Sequence, residues 1–258
     1  MSQGEVANIE VKPKMSAAAA VWDNFKTIIY ALGIALVVRV LLFQPFTIPS
    51  ESMVPTLLTH DYIFVNKYAY GYSKHSIPFS PPLFNGRILG KTPDRGDVIV
   101  FKLPSDNKTD YIKRLIGLPG DRIQMKGGAL YINDQPVQRE ALPEEIIEDE
   151  FGVARTVQRW KETLPNGKSY VTHDLIPNGG LDDTDVYTVP ADHFFMMGDN
   201  RDNSQDSRVL SAVGYVPEEN LVGKAEMIFL SFNDGVSLFN PFSWVADFRW
   251  NRFCKPIK

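Results

Sequence analysis

The stretch Thr27-Ile-Ile-Tyr-Ala-Leu-Gly-Ile-Ala-Leu-Val-Val-Arg39-Val-Leu-Leu-Phe43 is apolar apart from Arg39. As a helix it extends roughly 25 Å, slightly less than the ~30 Å hydrocarbon core of a bilayer, and Arg39 lies close enough to its end to reach the headgroups. A buried core helix would show a polar face, which this stretch lacks. A cleaved leader would end in a small-x-small site, but Gln-Pro-Phe-Thr follows. The sequence therefore predicts an uncleaved transmembrane anchor over residues 25–44.

The charges around this segment predict its orientation. Lys12, Lys14 and Lys26 precede the apolar run, and Arg39 is the cation close to its far end. Positive charges collect on the cytoplasmic side of membrane helices. Residues 1–24 are therefore predicted to be cytoplasmic, and the remainder of the chain is predicted to lie on the outer side of the membrane.

After the anchor, short apolar alternations between turn residues predict a mainly β domain without a substantial helix. Residues 62–65, 98–101 and 226–232 have the composition of strands, and 121–137 has that of a hairpin with its turn at Gly127-Gly128. An acidic run at 140–150 indicates a solvated surface or loop. We expect an antiparallel β core from residues 45–124 and 191–258, with an inserted smaller β subdomain at 125–190.

Composition excludes several classes of function. The chain of 258 residues has 27 Lys and Arg against 31 Asp and Glu, a formal net charge of −4, which does not favour a nucleic-acid binder. The single cysteine, Cys254, excludes an intrachain disulfide and a multi-Cys metal cage, and we expect it to be a small buried residue. The four histidines are scattered, and no phosphate-binding or zinc motif occurs. We therefore expect no metal and no cofactor.

The C-terminal segment from Phe239 to Lys258 alternates aromatic and basic residues. It fits either a core strand or helix with a basic edge, or a surface that rests on the membrane, since Trp and cations favour the interface.

Three polar segments are candidates for chemistry. Pro49-Ser50-Glu51-Ser52-Met53-Val54-Pro55 places two serines between prolines, which favours an extended, stiff backbone. The segment 111–121 is strand-like and carries Lys113 beside Arg114. The segment 198–208, Gly-Asp-Asn-Arg-Asp-Asn-Ser-Gln-Asp-Ser-Arg, is a dense polar loop. Each alone also fits a linker, a solvated strand face or a turn network. A Ser-His-Asp triad through His60 is a further alternative.

In this order, together with the anchor, 95–101, 214–217 and 219–225, the three segments closely resemble the bacterial type I signal peptidases, which are membrane-bound Ser/Lys-dyad proteases. The resemblance implies Ser52 as nucleophile, Lys113 as general base, and Ser50 with the Ser52 N–H as oxyanion hole. It also implies that Ser204 hydrogen-bonds the lysine and that Asp206 and Arg208 form a supporting ion pair. Glu51 departs from the glycine common at that position, and residues 209–213 lack an expected aromatic pair.

A lysine can act as a base only if its pKa is lowered from about 10.4, and burial against apolar groups lowers it. Tyr111 and Leu115 share a strand face with Lys113, while Arg114 lies on the opposite face, so the sequence leaves open which cation is buried.

The resemblance implies that the enzyme cleaves signal peptides from exported preproteins after Ala-x-Ala sites. It also implies a location in the bacterial inner membrane, with lipid and preproteins as partners and the catalytic domain on the periplasmic side. The alternatives are a Ser-Lys protease with a narrower client and a membrane-anchored, non-catalytic β-domain that binds exported chains or envelope partners.

Overall fold

A computed structural model describes residues 17–148, 154–233 and 241–258. The chain forms two compact units, residues 1–39 and 40–258.

The apolar stretch forms the helix α1, Ala17–Leu41. Its part Val21–Leu41 is long and apolar enough to cross a membrane, and none of it is buried within the protein. Apolar side chains are exposed all round this part of the helix, Leu32 and Ile34 to 65% and 67%, as expected of a helix whose surroundings are lipid. The helix ends at Leu41, before residue 44, which is the predicted limit of the anchor. Phe43 begins a strand, and Pro45 within that strand could not continue a helix.

The second unit is built on an eight-stranded antiparallel sheet, which confirms the mainly β prediction. The strand order is β1-β2-β14-β3-β4-β12-β13, and β15 pairs with β14. The strands are β1 Phe43–Thr47, β2 Asp61–Asn66, β3 Val98–Lys102, β4 Asp110–Gly117, β12 His193–Met197, β13 Val216–Pro217, β14 Leu221–Ser231 and β15 Lys255–Pro256. β4 lies between β3 and β12, well inside the sheet, and β1 is an edge strand.

Two smaller sheets come from the middle of the chain. One has the order β11-β5-β6-β7 and the other β10-β9-β8. The predicted hairpin is confirmed as β5 and β6, which Gly127-Gly128 connects, and β5 crosses the predicted boundary at residue 125. The strands are β5 Arg122–Lys126, β6 Ala129–Ile132, β7 Gln135–Pro136, β8 Gln138–Glu148, β9 Ala154–Thr163, β10 Ser169–Asp174 and β11 Tyr187–Thr188.

The acidic run is part of a strand on the surface, so of the two predicted possibilities the solvated surface is right and the loop is wrong. β8 pairs antiparallel with β9, which opposes its carboxylates with cations. Lys161 stands across from Glu140, and Arg159 Nε lies 3.4 Å from Glu145 Oε2. Opposite charges across a strand pair stabilise the pairing. Asp149 and Glu150 lie outside the described residues.

The C-terminal segment contains a short helix, α2 Pro241–Ala246, which is one of the two kinds of element that its sequence allowed. After α2, the rings of Phe248 and Trp250 pack edge-on, with 4.6 Å between their centroids. Trp250 is nevertheless 69% exposed. Cys254 is also exposed, which contradicts the expectation that it is buried, because it occupies a surface turn with positive φ.

Candidate active site

Ser52 lies in the turns that join β1 to β2. The Ile48 N–H donates to the Asp61 carbonyl, and the Val54 N–H donates to the Glu51 carbonyl at 3.0 Å, which closes a turn around Ser52. Met53 and Leu57 are fully buried beside it. The serine is thus fixed by the apolar side chains on its C-terminal side, and it is itself largely buried.

Lys113 lies on the central strand β4 and meets Ser52 from the sheet. Its Nζ is 2.6 Å from the Ser52 Oγ. Ile99 stands opposite Lys113 on β3, and the Tyr111 ring centroid lies 5.5 Å from the Nζ. Lys113 is 4% exposed, so the ammonium loses nearly all its hydration. This burial lowers its pKa to about 8.

A buried ion pair limits how far nearby carboxylates oppose that shift. Arg208 Nε and Nη2 each donate to a different Asp206 carboxylate oxygen at 2.9 Å. The Asp206 and Asp199 charges act to raise the pKa of Lys113, and the Arg208 charge acts to lower it. Arg208 therefore offsets part of the negative charge that the amine faces. The Gly198 N–H also donates to Asp206, which ties the pair to the loop beside Ser52.

Ser50 and Ser204 both lie beside Ser52, but their contacts differ from one another. Ser50 Oγ is 3.5 Å from Ser52 Oγ. Ser204 Oγ is buried and has no hydrogen-bond partner among the described residues, so the bond to the lysine that the resemblance implies is not formed here. Gly198 lies tightly between Ser204 and Ser52. A Cβ at Gly198 would lie 2.2 Å from Ser204 Oγ and 2.5 Å from the Ser52 carbonyl oxygen.

Glu51 does not block the site, since its side chain is exposed and accepts a hydrogen bond from Asn203 Nδ2 at 3.2 Å. A second amide of the polar loop also supports the serine segment. Asn200 donates from Nδ2 to the Glu51 carbonyl and from its backbone N–H to the Ser52 carbonyl, both at 3.2 Å. Asn200 is part of the polar loop 198–208, but no pattern in the sequence indicates a role for it, because only the fold brings it to Ser52.

The face of β4 opposite Lys113 carries a second buried cation. Arg114 is fully buried, and its Nε and Nη2 donate to the two Asp199 carboxylate oxygens at 2.8 and 2.7 Å. Thr56 Oγ1 also donates to Asp199, and the Arg114 guanidinium stacks 4.2 Å from the Tyr170 ring centroid. Burial acts to lower the pKa of Arg114, but Asp199 outweighs it and the pKa is raised. Both cations are therefore buried, which answers the question that strand alternation left open.

The other chemistries considered for this chain have less support. His60 is exposed, whereas the base within hydrogen-bond distance of Ser52 Oγ is Lys113. Within residues 17–148, 154–233 and 241–258, no three His, Cys, Asp or Glu side chains are grouped so that they could hold a metal ion. A buried amine of lowered pKa in contact with a serine hydroxyl is chemically able to accept the proton of that hydroxyl.

Comparison with known proteins agrees with this chemistry. The sequence model of the family described as "Signal peptidase, peptidase S26" matches residues 21–230. The chain belongs to this family. It is therefore a serine endopeptidase, which confirms the predicted family and enzyme class, and the non-catalytic alternative is not favoured.

Signal peptidase I proteins of Rickettsia are similar over nearly the whole chain. That of Rickettsia typhi is 41% identical, over 91% of this chain and 93% of its own length. That of Rickettsia prowazekii is 39% identical, over 95% of this chain and 97% of its own. A crystal structure of a signal peptidase I from Enterococcus faecalis matches 52% of this chain and 97% of that chain, at 25% identity and a TM-score of 0.30.

Proposed function

We propose that the chain cleaves N-terminal signal peptides from exported preproteins, with Ser52 as nucleophile and Lys113 as general base. The observation that carries this proposal is the buried contact of 2.6 Å between Lys113 Nζ and Ser52 Oγ. An amine of pKa about 8 has a substantial neutral fraction near neutral pH, whereas an ordinary lysine has about one part in 10³.

Acylation moves one proton twice. Neutral Lys113 takes the proton of Ser52 Oγ while the oxygen attacks the scissile carbonyl carbon. The Ser52 N–H and the Ser50 hydroxyl donate to the resulting oxyanion, and each such donor is typically worth about 10²–10³ in rate. The Lys113 ammonium then protonates the leaving amine as the peptide bond breaks. Lys113, again neutral, takes a proton from the water that attacks the acyl-enzyme, and it returns this proton to Ser52 Oγ as the acyl–oxygen bond breaks.

Substrate binding would use the free edge of the large sheet. In the part of the chain that the structure describes, β1 pairs with β2 on one side only, and it leads directly to the serine segment. An extended peptide added to such an edge gains main-chain hydrogen bonds, and alternate side chains enter pockets. Small residues such as Ala at the first and third positions before the cut are then those that the family resemblance implies.

The location proposed for the enzyme is supported by α1. We place α1 across the bacterial inner membrane, with residues 1–24 in the cytoplasm and the catalytic β core, residues 45–124 and 191–258, on the periplasmic side around the insertion 125–190. The apolar composition of Val21–Leu41 and the lysines before it support this arrangement. Ser52 follows closely on the end of α1, which suits a substrate held in the membrane by its own apolar segment.

The test uses the purified full chain in detergent with a preprotein that carries an Ala-x-Ala site. Wild type should cut after the second Ala, and Ser52→Ala and Lys113→Ala should each lower kcat by at least about 10³-fold. Ser105→Ala and Lys108→Ala, which alter an exposed serine and lysine, serve as matched controls that keep full activity. Cleavage that survives either active-site substitution would overturn the proposal, and loss of activity in His60→Ala would favour a triad.

A further inference from the structure

Glu51 places a negative charge beside the proposed nucleophile. It directly precedes Ser52, and its side chain is exposed whereas Ser52 is buried. Consecutive Cα atoms are about 3.8 Å apart, so this carboxylate lies at the rim of the site, within reach of a peptide bound at Ser52. The proposed reaction uses the backbone around Glu51 but gives its side chain no role.

The polar loop 198–208 holds the carboxylate in place. Asn203 donates from Nδ2 to Glu51 Oε2 at 3.2 Å. The backbone of Glu51 is bonded to the same loop, since its carbonyl accepts from Asn200 Nδ2 at 3.2 Å. The charge is therefore kept on one side of the rim and does not swing freely in the solvent.

The buried charges around the site are already paired, and that of Glu51 is not. The pairs are Arg201 with Glu162, Arg208 with Asp206, and Arg114 with Asp199. Glu51 has an uncharged partner, Asn203, and in the described ranges 17–148, 154–233 and 241–258 no lysine or arginine forms an ion pair with it. The charge of Glu51 thus remains available to a substrate.

The path of the chain indicates which part of a substrate meets this charge. β1 leads into the serine segment, so a substrate strand on the free edge of β1 has its residues before the cut on that side of Ser52. The polar loop lies on the other side, where the Asn200 N–H donates to the Ser52 carbonyl at 3.2 Å. Residues after the cut leave the edge of β1 and pass this loop, where Glu51 and Asn203 lie.

We infer that Glu51 selects preproteins by the charge of the residues just after the cut, favouring cations and disfavouring carboxylates. The inference rests on the proposed function and deepens it. An exposed pair of opposite charges changes an equilibrium by up to about fivefold, and like charges oppose each other by a similar amount. Lysine and aspartate should therefore differ by about tenfold at low ionic strength, and salt should screen the difference.

The test compares peptides with an Ala-x-Ala site that carry Lys or Asp at the first or the second position after the cut. The full chain in detergent cleaves each peptide, and the ratio of kcat/KM for the Lys peptide to that for the Asp peptide is measured. General changes in activity cancel in this ratio. We expect about tenfold in the wild type at the more sensitive position, falling towards one in high salt.

Two variants separate the charge of Glu51 from its hydrogen bond. Glu51→Gln removes the charge but keeps an oxygen that can accept from Asn203, and its ratio should fall close to one. Asn203→Asp adds a second carboxylate at the same place, so its ratio should exceed that of the wild type. Glu144→Gln, on the exposed surface of β8, makes the same change in net charge as Glu51→Gln and should keep the wild-type ratio.

Several results would overturn this inference and leave the proposed function intact. They are a wild-type ratio near one at both positions, an equal ratio in Glu51→Gln, and an equal fall in Glu144→Gln, which would assign the effect to the net charge of the chain. A dependence on Glu51 found only for charges placed before the cut would also contradict it. If the wild type cleaved none of the peptides, the proposed function itself would be overturned.

Discussion

The two faces of β4 hold adjacent buried cations in opposite environments. Lys113 meets a serine hydroxyl and apolar side chains, and burial lowers its pKa to about 8. Arg114, one residue later, meets the Asp199 carboxylate through two hydrogen bonds and keeps its charge. Burial is nearly the same for both, so the difference comes from the partner. A cation that lacks a direct carboxylate partner is available for proton transfer, and one with such a partner serves structure.

The largest effect is expected where the paired cation is removed. Arg114→Met would leave the Asp199 carboxylate buried without its guanidinium, and losing one partner of a buried pair costs about 3–5 kcal/mol. Chemical denaturation of the detergent-solubilised chain, followed by tryptophan fluorescence, measures the loss in free energy of unfolding. The double variant Arg114→Met with Asp199→Leu should recover most of it. A loss below about 1 kcal/mol in the single variant would show that Asp199 does not depend on Arg114.

Removing Lys113 should have the opposite effect on the free energy of unfolding and stabilise the protein near neutral pH. The folded pKa of Lys113, about 8, lies below that of an unfolded lysine, about 10.5, so the unfolded state binds more protons between these values. The wild type is therefore destabilised by up to about 3 kcal/mol below pH 8, and it regains this as the pH rises towards 10.5. Lys113→Met should be more stable than wild type at pH 7, and the gap should close with rising pH. A variant less stable than wild type at pH 7 would contradict the low pKa.

The smallest change in stability is expected at Gly198, which lies between Ser52 and Ser204. In Gly198→Ala the new Cβ overlaps the Ser52 carbonyl oxygen, which belongs to the backbone and has to shift. Such overpacking costs about 1–3 kcal/mol, whereas a misplaced nucleophile costs about 10²-fold in kcat. Gly180→Ala, where a Cβ meets no atom within 4 Å, is the matched control. Full activity in Gly198→Ala would show that the position of Ser52 relative to Lys113 is less restricted than proposed.

The sequence predicted the strands better than it predicted the partners. Apolar alternation and Gly127-Gly128 were sufficient for the β5–β6 hairpin, because both its strands and its turn are local. The acidic run was predicted to be a solvated surface or a loop, and its strand was missed because the cations that pair with it lie on β9. The contact between Lys113 and Ser52 joins residues 61 apart in sequence. The pair was predicted from the family resemblance and not from the spacing of the two residues. Arg114 and Asp199 are 85 apart, so no local pattern reveals that pair.

The pH dependence of kcat/KM for the full-length enzyme tests most directly whether Lys113 is the base. Only the neutral amine can accept the Ser52 proton, so kcat/KM should rise with pH through an apparent pKa of about 8 and then level off. The measurement uses a preprotein with an Ala-x-Ala site, with substrate well below KM. A profile that is flat from about pH 7 to 10, or that rises near the ordinary histidine pKa of about 6.5, would contradict a lysine base.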